Sequence, residues 1–360
     1  MPGIRSIRNF RIFASLAVPA LILAGCNTYD NGGNSGTSFR QVNLISDSSI
    51  FPAQFRDANL VNPWGIAAGP TGLLWVADNH TGKTTIYNAD GSSAGAAVSV
   101  PGAKDPVGAP TGMVFNGTAD FPMPDGTGKA LFIFAGEDGS LSAWNAGATA
   151  KIVADRSDSE AVYKGIALAQ DSGKNFLYVA NFKGRQVDVF DAQFHRDTTR
   201  LFADTAMPAD FAPFNVALIG SELFVAYARL KGPDNEDDSA GPGAGYVDVF
   251  GTNGVLKRRF LSNDRLNSPW AIVSIPGTFG PFENGIFIGN FGDGLIHVYD
   301  SQGGFLGQVL DPTGHPIQID GLWALYLTSG GGLYGAGGRL YFTAGPAEES
   351  HGLFGYLVPE

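Results

Sequence analysis

One apolar segment recurs six times along the chain: Leu73–Asn79, Ala130–Asp138, Phe176–Phe182, Glu222–Ala228, Gly285–Phe291 and Arg339–Gly345. Each is short, rich in β-branched and aromatic residues, and runs into small or polar positions. That is the pattern of a buried strand ending in a turn. Ahead of each lies a shorter apolar run: Trp64–Ala67, Gly112–Phe115, Gly165–Leu168, Asn215–Leu218, Trp270–Val273 and Trp323–Tyr326. Gly65, Gly112, Gly165, Asn215, Trp270 and Trp323 recur every 47 to 55 residues. The small residues in these runs suit innermost strands that converge on a narrow axis. A third run follows each second one (Thr85–Asn88, Ser142–Asn145, Asp188–Asp191, Asp248–Gly251, His297–Asp300, Gly352–Tyr356). A fourth, more polar strand is expected at Ala97–Val100, Lys151–Ala154, Arg200–Ala203, Arg258–Leu261 and Leu306–Leu310, as edge strands should be. The sixth repeat ends after its third strand, and Phe39–Ser46 is a spare strand at the start. The pattern predicts an all-β fold, a six-bladed β-propeller over residues 39–360, with the ring closed by 39–46 joining the last blade. A β-sandwich explains neither the near-equal periods nor the spare strand.

Composition supports a turn-rich β protein: 50 Gly, 21 Pro, 44% hydrophobic and only 16% charged residues. The net charge of -11, with no basic cluster beyond Lys257-Arg258-Arg259, gives no footprint for nucleic acid. A neutral or cationic ligand suits such a surface better than an anionic polymer. Before the repeats stand three arginines, an apolar stretch Ile12–Leu23, and Leu23-Ala24-Gly25-Cys26. The stretch is short for a membrane span and fits the core of a signal peptide. Residues 1–25 are therefore expected to be a signal peptide and 26–38 a flexible polar tether.

The Leu-Ala-Gly-Cys segment resembles the lipobox of bacterial lipoproteins. The resemblance implies a lipid on Cys26, the one cysteine, and anchorage to a membrane of the bacterial cell envelope, at the outer membrane or facing the periplasm. Asn62-Pro63-Trp64-Gly65-Ile66-Ala67, with Trp75-Val76-Ala77-Asp78 and Tyr87-Asn88, resembles an NHL repeat. Across the whole of the chain after Thr37, the sequence is similar to a family of uncharacterised bacterial propeller proteins. The shared motifs are Leu-Val-Asn-Pro-Trp-Gly (60–65), Ala-Pro-Phe-Asn (212–215), Gly-Asn-Phe-Gly-Asp-Gly (289–294), Ile-Asp-Gly-Leu-Trp (319–323) and His-Gly-Leu-Phe-Gly (351–355). The resemblance implies the fold and no reaction.

A propeller binds where loops entering the first strands meet loops joining second and third strands. The repeats assign Asn62, Asp78, Asn79, Glu137, Asn181, Asn215, Tyr227, Asn290, Asp320 and His351 to that face, with Asp138, Lys164, Asp293, Glu348 and Glu349 beside them. For each, a turn or cap role competes with a ligand role. The sugar-lactonase propellers offer an enzymatic comparison. Their metal site uses a Glu before the first inner strand, where this chain has Asn62. Asn62, Asn181, Asn215 and Asp320 are the candidates for holding Ca²⁺ through oxygen. The acidic run Asp234–Asp238 reads as a solvated loop, and Trp64, Trp270 and Trp323 as blade packing. Three functional classes stay open: a module that binds a protein, peptide or glycan, a Ca²⁺-dependent hydrolase of lactones or esters, and a purely structural envelope protein with a flat face and no pocket.

Overall fold

The computed structural model describes residues 38–328 and 338–360. Cys26, the expected signal segment 1–25 and the tether up to residue 37 lie outside the described residues. Six antiparallel sheets follow one another along the chain. Blade 1 comprises Pro63–Ala68, Leu74–Asp78, Lys83–Tyr87 and Val98–Ser99. Blades 2 to 5 repeat the order, their innermost strands being Pro110–Phe115, Tyr163–Asp171, Phe211–Ile219 and Pro269–Ser274. Each innermost strand contacts those of both neighbours, all the way round to Leu322–Thr328 of blade 6. The expected six-bladed propeller is thus the observed fold.

Crowding at the axis explains the small residues of the inner strands. A Cβ on Gly165 would stand 1.7 Å from Asn215 Oδ1, and one on Gly112 would stand 2.8 Å from the backbone nitrogen of Ile166. Polar side chains then pin blade to blade. Thr343 Oγ1 donates to the Trp64 carbonyl at 2.6 Å, joining blades 6 and 1. Thr111 Oγ1 donates to the Tyr163 carbonyl at 3.1 Å, and Asn215 Nδ2 donates to the Trp270 carbonyl at 2.7 Å. These bonds use polar groups that would otherwise be buried unpaired.

The spare N-terminal strand closes the ring as expected. Phe39–Ser46 pairs antiparallel with Leu353–Pro359, which continues the sheet of Arg339–Ala344 and Leu322–Thr328. The same strand also grips blade 5. Phe39 is 1% exposed and packs on Phe279 and Phe282, its ring 5.5 and 6.2 Å from theirs. Its backbone N–H bonds the Leu310 carbonyl at 2.8 Å.

One expected strand is misplaced. The outer strand of blade 3 is Arg196–Asp197, and Arg200–Ala203 is not a strand. Asp197 accepts from the Thr199 N–H at 2.8 Å, forming a turn that lifts the chain off the sheet. Arg200 then pairs with Asp171 at 2.8 Å and stacks over Phe176, while Phe202 packs on Tyr178 and Phe250. The apolar character of this segment serves packing between blades 3 and 4.

Phe39→Ala should cost about 3–5 kcal/mol, since it empties a buried aromatic site that fastens the closure. The control Ile50→Ala, at a side chain 65% exposed, should change stability by under about 0.5 kcal/mol. Urea midpoints of the two variants check this.

Candidate functional site

At one mouth of the propeller a cavity of about 370 Å³ opens between Trp64, Lys164, Phe291, Asp320, Trp323 and Glu349, with Lys231, Asp237, Asp238 and Glu348 at its edges. Its wall is an aromatic stack. Trp323 lies between Trp64 and Phe291, with ring centroids 3.5 and 4.0 Å away and planes within 21°. Trp270 meets Trp64 edge-on at 6.2 Å. The three tryptophans do pack between blades as expected, and two of them also line the cavity.

Lys164 is 1% exposed, at the start of the inner strand of blade 3. Its Nζ donates to Glu137 Oε1 at 2.5 Å, stands 3.7 Å from Asp237 Oδ1, and sits 5.0 Å above the Trp64 ring. Burial pushes the lysine pKa down, but Glu137 outweighs it and the net direction is up. For Glu137 burial acts upward, and Lys164 with the Asn79 amide brings the net below the ordinary value. Asn79 Nδ2 donates to Glu137 Oε2 at 3.0 Å, so both oxygens of that carboxylate are engaged.

Glu349 faces the other way energetically. Burial raises its carboxyl to about 7, against the lowering effect of the Asn62 amide, and the nearby charge of Glu137 adds to the rise. Asn62 Nδ2 donates to Glu349 Oε2 at 2.6 Å, and Asn62 Oδ1 accepts from Trp323 Nε1 at 2.9 Å. His80 Nε2 lies 3.3 Å from the same Asn62 amide nitrogen. Glu349 belongs to a turn in which Ala347, Glu348 and Glu349 all have left-handed angles, φ 56°, 53° and 64°. Such angles cost roughly 1–2 kcal/mol per residue bearing a Cβ. The turn persists because it is held at both ends. Asp320 Oδ2 accepts from the Ala347 N–H at 2.9 Å, and His351 Nδ1 meets Asp47 Oδ2 at 2.8 Å.

The expected face residues divide sharply. Asn62, Asn79, Glu137 and Asp320 gather around the cavity with Lys164, Glu348 and Glu349. The others serve the scaffold. Asn181 accepts from the N–H groups of Gly184 and Val162 and donates to Asp188. Asn215 is committed to Trp270 and to Val216, and Asn290 Nδ2 donates to the Arg265 carbonyl at 2.8 Å. Asp78 is fully buried against the Thr85 side of blade 1, and burial raises its pKa. Tyr227 lines a separate hollow with Phe211 and Asp204. Asp138 and Asp293 cap turns, at Ser140 and Leu295. His351 binds Asp47 and stacks on Phe51. A larger hollow of about 550 Å³ on the flank of blade 3 contains none of the expected residues.

The proposed Ca²⁺ ligands do not fit a metal. Of Asn62, Asn181, Asn215 and Asp320, only Asp320 lines the cavity, and all four already accept protein hydrogen bonds. A buried ammonium occupies the mouth instead. Among the described residues no group of three His, Cys, Asp or Glu is arranged to hold a metal ion. The acidic run is largely solvent-exposed as expected, with the Asp237 side chain 69% exposed, and Asp237 and Asp238 also reach the cavity while Glu236 pairs with Lys183 at 2.9 Å. Its position between second and third strands of blade 4 was the available signal, since those connections face the mouth.

No family model matches the chain. Two uncharacterised proteins of Acanthamoeba polyphaga mimivirus, L690 and R648, are 32% and 31% identical to it. The matches cover 88% and 89% of this chain and 85% and 80% of the viral proteins. The chain belongs to the family of these proteins. Among solved structures it is similar to an α-L-arabinofuranosidase from Fusarium graminearum (TM-score 0.58, 14% identity, 88% of this chain and 97% of that one). It is also similar to virginiamycin B lyase from Staphylococcus aureus (TM-score 0.50, 14% identity, 89% and 99%). At such identities the likeness is one of fold. The propeller expected from the sequence stands; neither NHL membership nor a bacterial lipoprotein relative comes from these matches.

Glu349 has a testable signature. Its folded pKa lies above that of the unfolded chain, so the stabilising proton is fully present below about 4.5 and is lost as pH rises through 7. The wild type should therefore lose, relative to Glu349→Gln, on the order of 2 kcal/mol between pH 5 and pH 8 once solvent screening is allowed for. Parallel urea titrations at the two pH values measure the difference.

Proposed function

We propose that the chain is a ligand-binding module whose site is the cavity at the propeller mouth. One observation carries this reading: a buried lysine, paired with a carboxylate, stands beside an aromatic wall and a second, protonatable carboxyl in one concave site. The cavity volume of about 370 Å³ falls within the range of ligand sites, and its lining joins an aromatic wall to a rim of charged groups. The proposal keeps the protein at the bacterial envelope through a lipid on Cys26; the support is the basic, apolar and Leu-Ala-Gly-Cys succession of the N-terminus.

A Ca²⁺-dependent lactonase- or esterase-like hydrolase is the alternative. It would need oxygen atoms that Lys164, Trp323 and the Ala347 N–H already engage. Metal analysis of the purified protein tests it, and stoichiometric calcium would revive it.

The binding reading is tested with an array of peptides and oligosaccharides probed with the purified full chain. Phe291→Ala and Glu348→Ala should each weaken binding about tenfold, about 1.4 kcal/mol. Gln193→Ala, in the hollow on blade 3, should leave it unchanged. Equal effects of all three, or no binding by the wild type, would reject the cavity as the site.

A further inference from the structure

The left-handed turn Ala347–Glu349 is the most strained backbone near the cavity, and strain of this kind persists where the surroundings over-determine it. Asp320 holds its first residue, and Ser350 Oγ donates to the Ala347 carbonyl at 2.6 Å. The result is a carboxyl placed at the cavity with one oxygen, Oε2, engaged by Asn62. The other, Oε1, has no hydrogen-bond partner among the described residues.

The charged groups around Glu349 come from every blade that meets it. Glu137 comes from blade 2, Lys164 from blade 3, Asp237, Asp238 and Lys231 from the long loop of blade 4, and Asp320 and Glu348 from blade 6. His80 of blade 1 reaches it through Asn62. Carboxylates outnumber ammonium groups, and Lys164 is committed to Glu137. Burial above all, with the nearby charge of Glu137, raises the Glu349 carboxyl to about 7, so it is mostly the neutral acid at pH 6 and half ionised at pH 7. A neutral carboxyl donates one O–H.

A carboxyl donor at the cavity calls for a ligand that brings acceptors. An ammonium group has none. An anion brings acceptors but meets the surrounding carboxylates. Resting on the reading of the cavity as a binding site, we infer that it selects uncharged, oxygen-rich ligands of the sugar or polyol class, with Glu349 donating the hydrogen bond that recognises them. The aromatic wall suits the C–H faces of such rings, and the rim carboxylates suit their hydroxyls.

The test titrates the purified full chain with glucose, galactose and xylose as neutral probes, and with glucosamine and glucuronate as charged counterparts. Tryptophan fluorescence and ligand-observed NMR report binding at pH 6 and pH 8.5. At least one neutral sugar should bind at pH 6, more tightly than either charged sugar, and at least fivefold more weakly at pH 8.5. Glu349→Gln, which keeps an N–H donor, should bind it equally at both pH values, with folding verified by its thermal transition. Preference for glucosamine or glucuronate at pH 6, a pH-independent wild type, or loss of binding in a folded Glu349→Gln protein would overturn the inference. Binding of no sugar would overturn it as well; if the peptide and oligosaccharide array is positive, the binding reading still stands.

Discussion

The pairing of Phe39–Ser46 with Leu353–Pro359 is the contact on which the rest of the molecule depends. It turns an open row of five blades and three strands of a sixth into a ring and removes an exposed strand edge. It also reaches the site. Asp47 follows the closing strand directly, and its two oxygens take the Gly352 N–H at 2.9 Å and His351 Nδ1 at 2.8 Å. The His351 carbonyl in turn accepts from the Asn62 N–H at 3.1 Å. The left-handed turn carrying Glu349 is thus clamped between the closing strand on one side and Asp320 on the other. First and last segments of the chain meet where the cavity is built.

Within that frame the site divides its charge between two carboxyls. Glu137 is ionised because Lys164 and Asn79 satisfy both of its oxygens. Glu349 receives one amide hydrogen bond, lies close to Glu137, and is held near neutrality of charge by burial. Two like groups pushed to opposite protonation states by their surroundings are the usual mark of a working site rather than of a scaffold. The aromatic stack of Trp64, Trp323 and Phe291 excludes water beside them, which strengthens each of these interactions.

The fold was legible in the sequence because its cause is local and repeated. Recurring apolar strands, small residues at the axis and a surplus strand at the start are all visible one repeat at a time. The site was legible only in part. Asn62, Asn79, Glu137 and Asp320 lie at the loop positions that a propeller turns toward its mouth. Asn181, Asn215 and Asn290 occupy similar positions, yet their amides bond backbone groups and, for Asn181, Asp188 within the scaffold, and composition does not distinguish the two fates. Asp237 and Asp238 were hidden in a run that looks solvated, because only the folding of the long blade-4 loop brings them to the cavity. The left-handed turn at 347–349 was invisible for another reason. None of the three residues is glycine, so the strain has no local signature and is imposed by Asp320, Asp47 and His351 from other parts of the ring. Arg200–Ala203 shows the converse error, an apolar run diverted from its sheet by the Asp197 turn.

The ring raises the Glu349 carboxyl at the cavity to about 7. Carbon-13 NMR of the glutamate side-chain carboxyls across a pH series measures this directly, with Glu349→Gln assigning the resonance. One carboxyl titrating near 7, absent from the variant, is the predicted result. If every glutamate carboxyl instead titrates near or below the ordinary value of about 4.3, the account is contradicted.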